Sequence, residues 1–75
     1  MLGNELRKAR EEAGLTQEQL SFAAKIDRTY ISQLENGHKS PTVDVLLRLC
    51  DALGVSASDF LARVEATRKP KVKKK

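Results

Sequence analysis

The 75-residue chain contains one cysteine, one histidine, one tyrosine, two phenylalanines and no tryptophan. A lone thiol, Cys50, cannot form an internal disulfide and fits a reducing compartment. With a single histidine, His38, beside that cysteine, the ligand set of a zinc site cannot be assembled. No apolar run approaches the ~18 residues needed to cross a membrane, and the amino-terminal segment has no signal-peptide core. Nor is there a glycine-rich phosphate loop, a paired-carboxylate cluster or a nucleophile–base set, and so small a domain leaves little room for a substrate pocket. The expectation is one soluble cytoplasmic domain that is not an enzyme and needs no metal or cofactor.

The charge is unevenly divided. From Arg63 onward seven basic residues (Arg63, Arg68, Lys69, Lys71, Lys73, Lys74 and Lys75) face one acid, Glu65, a balance of +6. Residues 1–62 hold seven basic and nine acidic residues, a balance of −2, within an overall +4. The folded part is not a generally basic body, so any nucleic-acid binding requires a local patch. Residues 66–75 read as a disordered basic tail adding nonspecific attraction, leaving 1–65 as the folded domain.

Strand alternation is missing, and apolar residues recur at helical spacing. Leu2, Leu6, Ala9 and Ala13 mark a first helix closed by Gly14. Thr16 with Gln19 forms a capping box, and Leu15 and Leu20 a hydrophobic staple, at the start of a helix over about 17–24. The same device is expected at Asp27, with Ile26 and Ile31, opening a helix over about 28–36 that stops at Gly37. A fourth helix follows Pro41 with Thr42 as its cap; Val43, Leu46, Leu47, Leu49, Cys50 and Leu53 supply a wide apolar face, and Gly54 ends it. Ser56 and Asp59, with Val55 and Phe60 as staple, open a fifth helix over about 57–65.

Between the second and third helices, Leu20, Ala23, Ala24, Ile26, Ile31 and Leu34 point inward, as in a helix-turn-helix. In that unit the second helix lies in the major groove of DNA while the first crosses the backbone. Ile31 and Leu34 must face the core, so Arg28, Thr29, Ser32, Gln33 and Asn36 lie on the exposed face of the recognition helix. Arginine can grip guanine O6 and N7, and glutamine adenine N6 and N7. Gln17, at a helix start, suits a phosphate; Lys39 and Ser40 follow the recognition helix in a loop suited to phosphates.

Arg10, Gly14-Leu15-Thr16-Gln17, Leu20, Ile31-Ser32-Gln33-Leu34-Glu35-Asn36-Gly37, Ser40-Pro41-Thr42 and the stretch Leu46 to Val55 resemble the Cro and lambda-repressor-like family. It is also called the xenobiotic-response-element (XRE) family of helix-turn-helix regulators. The resemblance covers about residues 2–62 and implies an all-α, compact five-helix bundle. Phe22 with Asp27-Arg28-Thr29-Tyr30-Ile31-Ser32 looks most like the restriction–modification controller proteins. By this resemblance Arg28, Thr29 and Gln33 reach base edges, Gln17 and Asn36 hold phosphates, and Arg10 pairs with Glu35 across the domain. Two positions depart from the family pattern: Lys25 stands where the turn has glycine, and Ser21 where the second helix has alanine.

A single helix-turn-helix reads few base pairs, so the function expected is a transcriptional regulator that binds a palindromic double-stranded operator as a homodimer. Leu61 and Val64 on the fifth helix supply the expected self-complementary apolar edge. An antitoxin or adaptor acting through protein contacts is the alternative, since fold does not fix function. A recognition face of Arg, Thr, Ser and Gln suits base readout better than an apolar docking surface.

Overall fold

In the computed structural model, which describes residues 2–67, the apolar repeats form five helices. They are α1 (Leu2–Glu12), α2 (Gln17–Ala24), α3 (Arg28–Glu35), α4 (Val43–Leu53) and α5 (Ala57–Thr67). Among the described residues there is no strand, and no helix is long and apolar enough to cross a membrane. α5 runs two residues past the expected boundary, so Ala66 and Thr67 are helical; the rest of the expected basic tail lies outside the described residues.

The starts of the helices follow local chemistry. Thr16 accepts from the Gln19 N–H at 3.0 Å and Gln19 Oε1 accepts from the Thr16 N–H at 2.9 Å, a closed capping box. Thr42 accepts from the Val45 N–H at 3.2 Å, and Ser56 from the Asp59 N–H at 3.0 Å. Each such cap stabilises its helix by about 1 kcal/mol. Asp27 departs from expectation: it makes no side-chain cap bond. The third residue of α3 is Tyr30, which has no carboxylate or amide to complete a box. Gly14, Gly37 and Gly54 take the left-handed backbone that stops a helix, with φ of +76°, +79° and +74°.

One large side chain or more from every helix closes the core. Leu6, Leu20, Ile31, Leu34, Leu49 and Phe60 are all under 2% exposed, and Ala9, Ala24, Ile26, Leu46, Cys50 and Leu53 fill between them. Fully burying each large apolar side chain is worth roughly 1.5–3 kcal/mol. Cys50 behaves as a small hydrophobe; burial, together with the charge of Asp51, pushes its thiol pKa up and keeps it protonated. The apolar face of α4 is narrower than expected. Leu46, Leu49, Cys50 and Leu53 span the buried stripe, whereas Val43 and Leu47 flank it and stay 72% and 49% exposed. Ala13 and Ala23, also expected on inward faces, are exposed: Ala13 lies in the turn beyond the end of α1, and Ala23 beside the buried stripe of α2.

α1 lies against α3 on one side and α5 on the other. Its approach to α3 is close enough to admit no side chain at Gly3. A β-carbon there would come within 2.6 Å of the Glu35 carbonyl oxygen and 2.7 Å of that of Leu34. Both are main-chain atoms at the end of a helix and cannot swing aside. On the opposite side Arg63 of α5 reaches Glu5 at 3.3 Å and Glu12 at 3.2 Å, with Glu5 only 4% exposed. Arg63, counted by sequence with the basic end of the chain, is thus paired within the domain.

Gly3→Ala should therefore destabilise the protein although alanine is the better helix former. Overpacking of about 1–3 kcal/mol outweighs a propensity gain of about 1 kcal/mol. The melting temperature should fall by roughly 5–10 °C in a calorimetric scan. An unchanged or raised value would show that α1 and α3 do not approach this closely.

Candidate nucleic-acid interface

The turn between α2 and α3 sets the angle at which the exposed face of α3 is presented. Lys25 ends α2 with φ 58° and ψ 47°, a left-handed conformation that costs a lysine about 1 kcal/mol relative to glycine. Ser21, the other departure from the family pattern, acts on the same turn. Its carbonyl accepts from the N–H groups of Lys25 and Ile26, and its hydroxyl donates to the Ile26 carbonyl at 2.5 Å. Arg48 of α4 donates to the Lys25 carbonyl at 2.7 Å. The turn is thus held from both sides, by a hydroxyl that an alanine at position 21 would lack and by Arg48 of α4.

From that turn α3 runs with Ile31 and Leu34 fully buried. Arg28, Thr29 and Asn36 are consequently exposed, and Ser32 and Gln33 half-buried, along one outward face. Among the described residues, the side chains of Arg28, Thr29 and Gln33 have no hydrogen-bond partner within the protein, so their polar groups stay free. Lys39 and Ser40 are exposed in the loop after α3, as is His38. Tyr30 is half-buried against the core, its hydroxyl 3.5 Å from the Ser40 carbonyl. On α5, Leu61 is 42% exposed, whereas Val64 is half-buried and packs against the core.

Behind the face lies one buried carboxylate, Glu35, whose side chain has no exposed surface. Arg10 Nε donates to Oε2 at 2.6 Å and Nη2 to Oε1 at 3.1 Å, a two-pronged grip, while Nη1 bonds the Leu15 carbonyl at 2.9 Å. Gln17 Nε2, from the first residue of α2, donates to Oε1 at 3.0 Å. The Gln17 amide nitrogen is therefore turned inward, towards Glu35. Arg7, not singled out from sequence, approaches Oε1 at 3.6 Å and donates to Asn36 Oδ1 at 3.3 Å. Asn36 in turn donates to Ser32 Oγ at 3.4 Å. The signal that could have found Arg7 is its place one turn before Arg10, on the side of α1 that meets α3.

Burial pushes the Glu35 carboxyl up, but the hydrogen bonds from Arg10 and Gln17 and the charges of Arg10 and Arg7 outweigh it and hold the pKa below the ordinary value. The Glu35 bond raises the pKa of Arg10 in turn. A depressed carboxylate stabilises the folded state fully above its unfolded pKa, about 4.3, and the contribution is lost as pH falls through the folded value. Glu35→Gln should cost on the order of 3 kcal/mol at neutral pH by leaving Arg10 without its counter-charge. In urea titrations that deficit should shrink steadily as pH is lowered below ~4. A deficit independent of pH would remove the carboxylate charge from the account.

The arrangement is a polar recognition face on a rigid helix pair, and known proteins with this arrangement agree on its use. The helix-turn-helix family profile matches residues 6–60. An uncharacterized helix-turn-helix transcriptional regulator of Sinorhizobium fredii is 36% identical over 67 residues, covering 89% of this chain and 87% of its own length. The crystal structure of the clp gene regulator ClgR from Corynebacterium glutamicum superposes with a TM-score of 0.85 at 33% identity, covering 93% of this chain and 91% of that one. The restriction–modification controller protein C.Esp1396I, solved as a tetramer with its natural 35 base-pair operator, superposes with a TM-score of 0.79 at 32% identity, covering 87% and 86%. By fold, recognition face and sequence, the chain belongs to the XRE-type helix-turn-helix family of DNA-binding transcriptional regulators.

Proposed function

We propose that the protein regulates transcription in the cytoplasm by binding a palindromic operator as a homodimer, with α3 in the major groove and α2 across the backbone. The observation that carries this reading is the outward face of α3. Arg28, Thr29 and Gln33 hold free donors and acceptors there, while the neighbouring Glu35, Gln17 and Asn36 side chains are already engaged. Arg28 and Gln33 read base edges, and Thr29 and Ser32 add contacts between them. Asn36, Lys39 and Ser40 hold backbone phosphates. Gln17, whose amide nitrogen is spent on Glu35, offers a phosphate its main-chain N–H at the start of α2. The operator-bound state of C.Esp1396I supports the same use of this fold.

Arg28→Ala should weaken binding to the true site by about 1–3 kcal/mol and relax preference at one base pair in each half-site. Gln33→Ala should relax a different base pair. Selection of bound sequences from a random DNA pool, repeated with each variant, tests both. An operator preference that survives both substitutions would remove α3 from base readout.

The self-contact is assigned to α5, where Leu61 keeps an apolar side chain in water and Val64 lies one turn further on. One patch serves twice across a two-fold axis. Sedimentation at micromolar concentration should give a dimer, and Leu61→Glu should give a folded monomer with weakened operator binding. A monomer in the unmutated protein, or a dimer that persists in Leu61→Glu, would overturn the assignment.

A further inference from the structure

We infer that Arg7 is a DNA-backbone contact, held in place for a phosphate at the junction between the start of α2 and the end of α3. The inference rests on the DNA-binding reading above and adds to it a residue from α1, outside the helix-turn-helix itself. The side of α1 that faces α3 carries Gly3, Arg7 and Arg10 at successive turns. Gly3 has no side chain to hold the helices apart, so α1 lies directly on the last carbonyls of α3. One turn later that closeness brings the Arg7 guanidinium to Glu35 and Asn36, the last residue and the cap of α3. Gln17, which opens α2, bonds the same Glu35 oxygen that Arg7 approaches. Arg7 therefore stands where α2 meets the backbone and α3 leaves the groove.

The charge count at this point favours an anion. Glu35 supplies one negative charge, and Arg10 takes it with two short bonds while only 12% exposed. Arg7 is the surplus cation. Its side chain is 45% exposed, and its contacts, at 3.3 and 3.6 Å, are the long ones of the cluster. A guanidinium carries five donors in a planar fork that matches two oxygens of a phosphate. At most two of the five are engaged here, and a half-exposed ion pair at 3.6 Å holds an arginine only weakly. Glu35 and Asn36 thus restrict where Arg7 points without consuming its charge.

The salt dependence of binding separates this role from a structural one. Affinity for a duplex carrying the selected site, and for a random duplex, is measured across a range of salt concentrations for the wild type, Arg7→Ala, Arg7→Lys and Arg63→Ala. Arg7→Ala should reduce the steepness of log affinity against log salt by about 0.9 per protomer on both duplexes, leaving the ratio between them nearly unchanged. Arg7→Lys should restore the slope, because a lysine keeps the point charge. Arg63→Ala removes the same formal charge from the side of α1 that meets Glu5 and Glu12, and should leave the slope unchanged. Thermal melts identify any variant that loses its fold; should Arg7→Ala do so, Arg7→Gln, which keeps an N–H donor for Asn36 without the charge, takes its place and must show the same loss of slope. If the wild type prefers no site, the DNA-binding reading itself fails. If it does and Arg7→Ala keeps the full slope, or Arg7→Lys loses it, Arg7 does not meet phosphate.

Discussion

A carboxylate removed from water must be compensated where it lies, and Glu35 is the one on which the relative placement of three helices depends. It sits at the end of α3, faces Arg10 of α1 and accepts from Gln17 at the start of α2. An unpaired buried charge costs several kcal/mol, so the three groups cannot drift apart independently. A purely apolar junction of the same volume could be as stable, but it would lack the fixed directions that these hydrogen bonds impose. For a domain whose task is to present one helix face to a groove, orientation matters more than total stability. The same oxygen atoms also decide what is left outside: Gln17 Nε2 is turned inward and Thr16 takes the Gln19 N–H, so the first turn of α2 offers the main-chain N–H groups of Gln17 and Glu18 to whatever lies beyond.

The turn after α2 shows a second form of the same dependence. Lysine in a left-handed conformation is strained, and the strain is distributed over groups from three elements. The Ser21 hydroxyl binds the carbonyl just beyond the turn, and Arg48 from α4 binds the carbonyl of Lys25 itself. α4 thereby steadies a junction to which it does not belong. Its own position follows from the Leu46, Leu49, Cys50 and Leu53 stripe, so besides the direct packing of Ile31 and Leu34 the core steadies the turn before α3 through this hydrogen bond. Taken separately, Lys25 and Ser21 look like departures from the family pattern; together they form one alternative solution to the same turn.

Most of the fold was legible in the sequence because its signals are local. A cap needs residues three apart, a staple five apart and a buried stripe three or four apart, and all of these can be read along the chain. Asp27 is the exception: it opens α3 without a side-chain cap bond, although Thr42 makes one with valine at the matching position. What could not be read depends on separation in sequence. Arg63 looked like the start of a basic tail until α5 brought it to Glu5 and Glu12. Val43 and Leu47 belong to the apolar face of α4 by composition, but the width of that face is set by the neighbours that cover it. Arg7 and Gly3 carried no motif of their own; their roles arise because α1 lies on the end of α3.

The distribution of charge follows from these pairings and bears on how such a domain discriminates among DNA sequences. Residues 1–62 are net acidic by two charges, yet several of the acids are already answered inside the domain. Glu35 is neutralised by Arg10, and Arg63 and Lys8 between them answer Glu5 and Glu12. Among the described residues the cations without an ion pair are Lys25 in the turn, Arg28 on α3 and Lys39 in the loop after it, and Arg7 beside the end of α3 keeps only a long one. Nonspecific attraction to DNA grows with the number of phosphates neutralised, whereas sequence preference comes from contacts to base edges. The fewer free cations a folded body carries, the larger the share of its affinity for DNA that has to come from the bases or from charges outside that body. Acids paired inside the domain drop out of that balance, whereas Glu18 and Asp27, exposed at the starts of α2 and α3 and without an ion pair among the described residues, act against loosely placed phosphates.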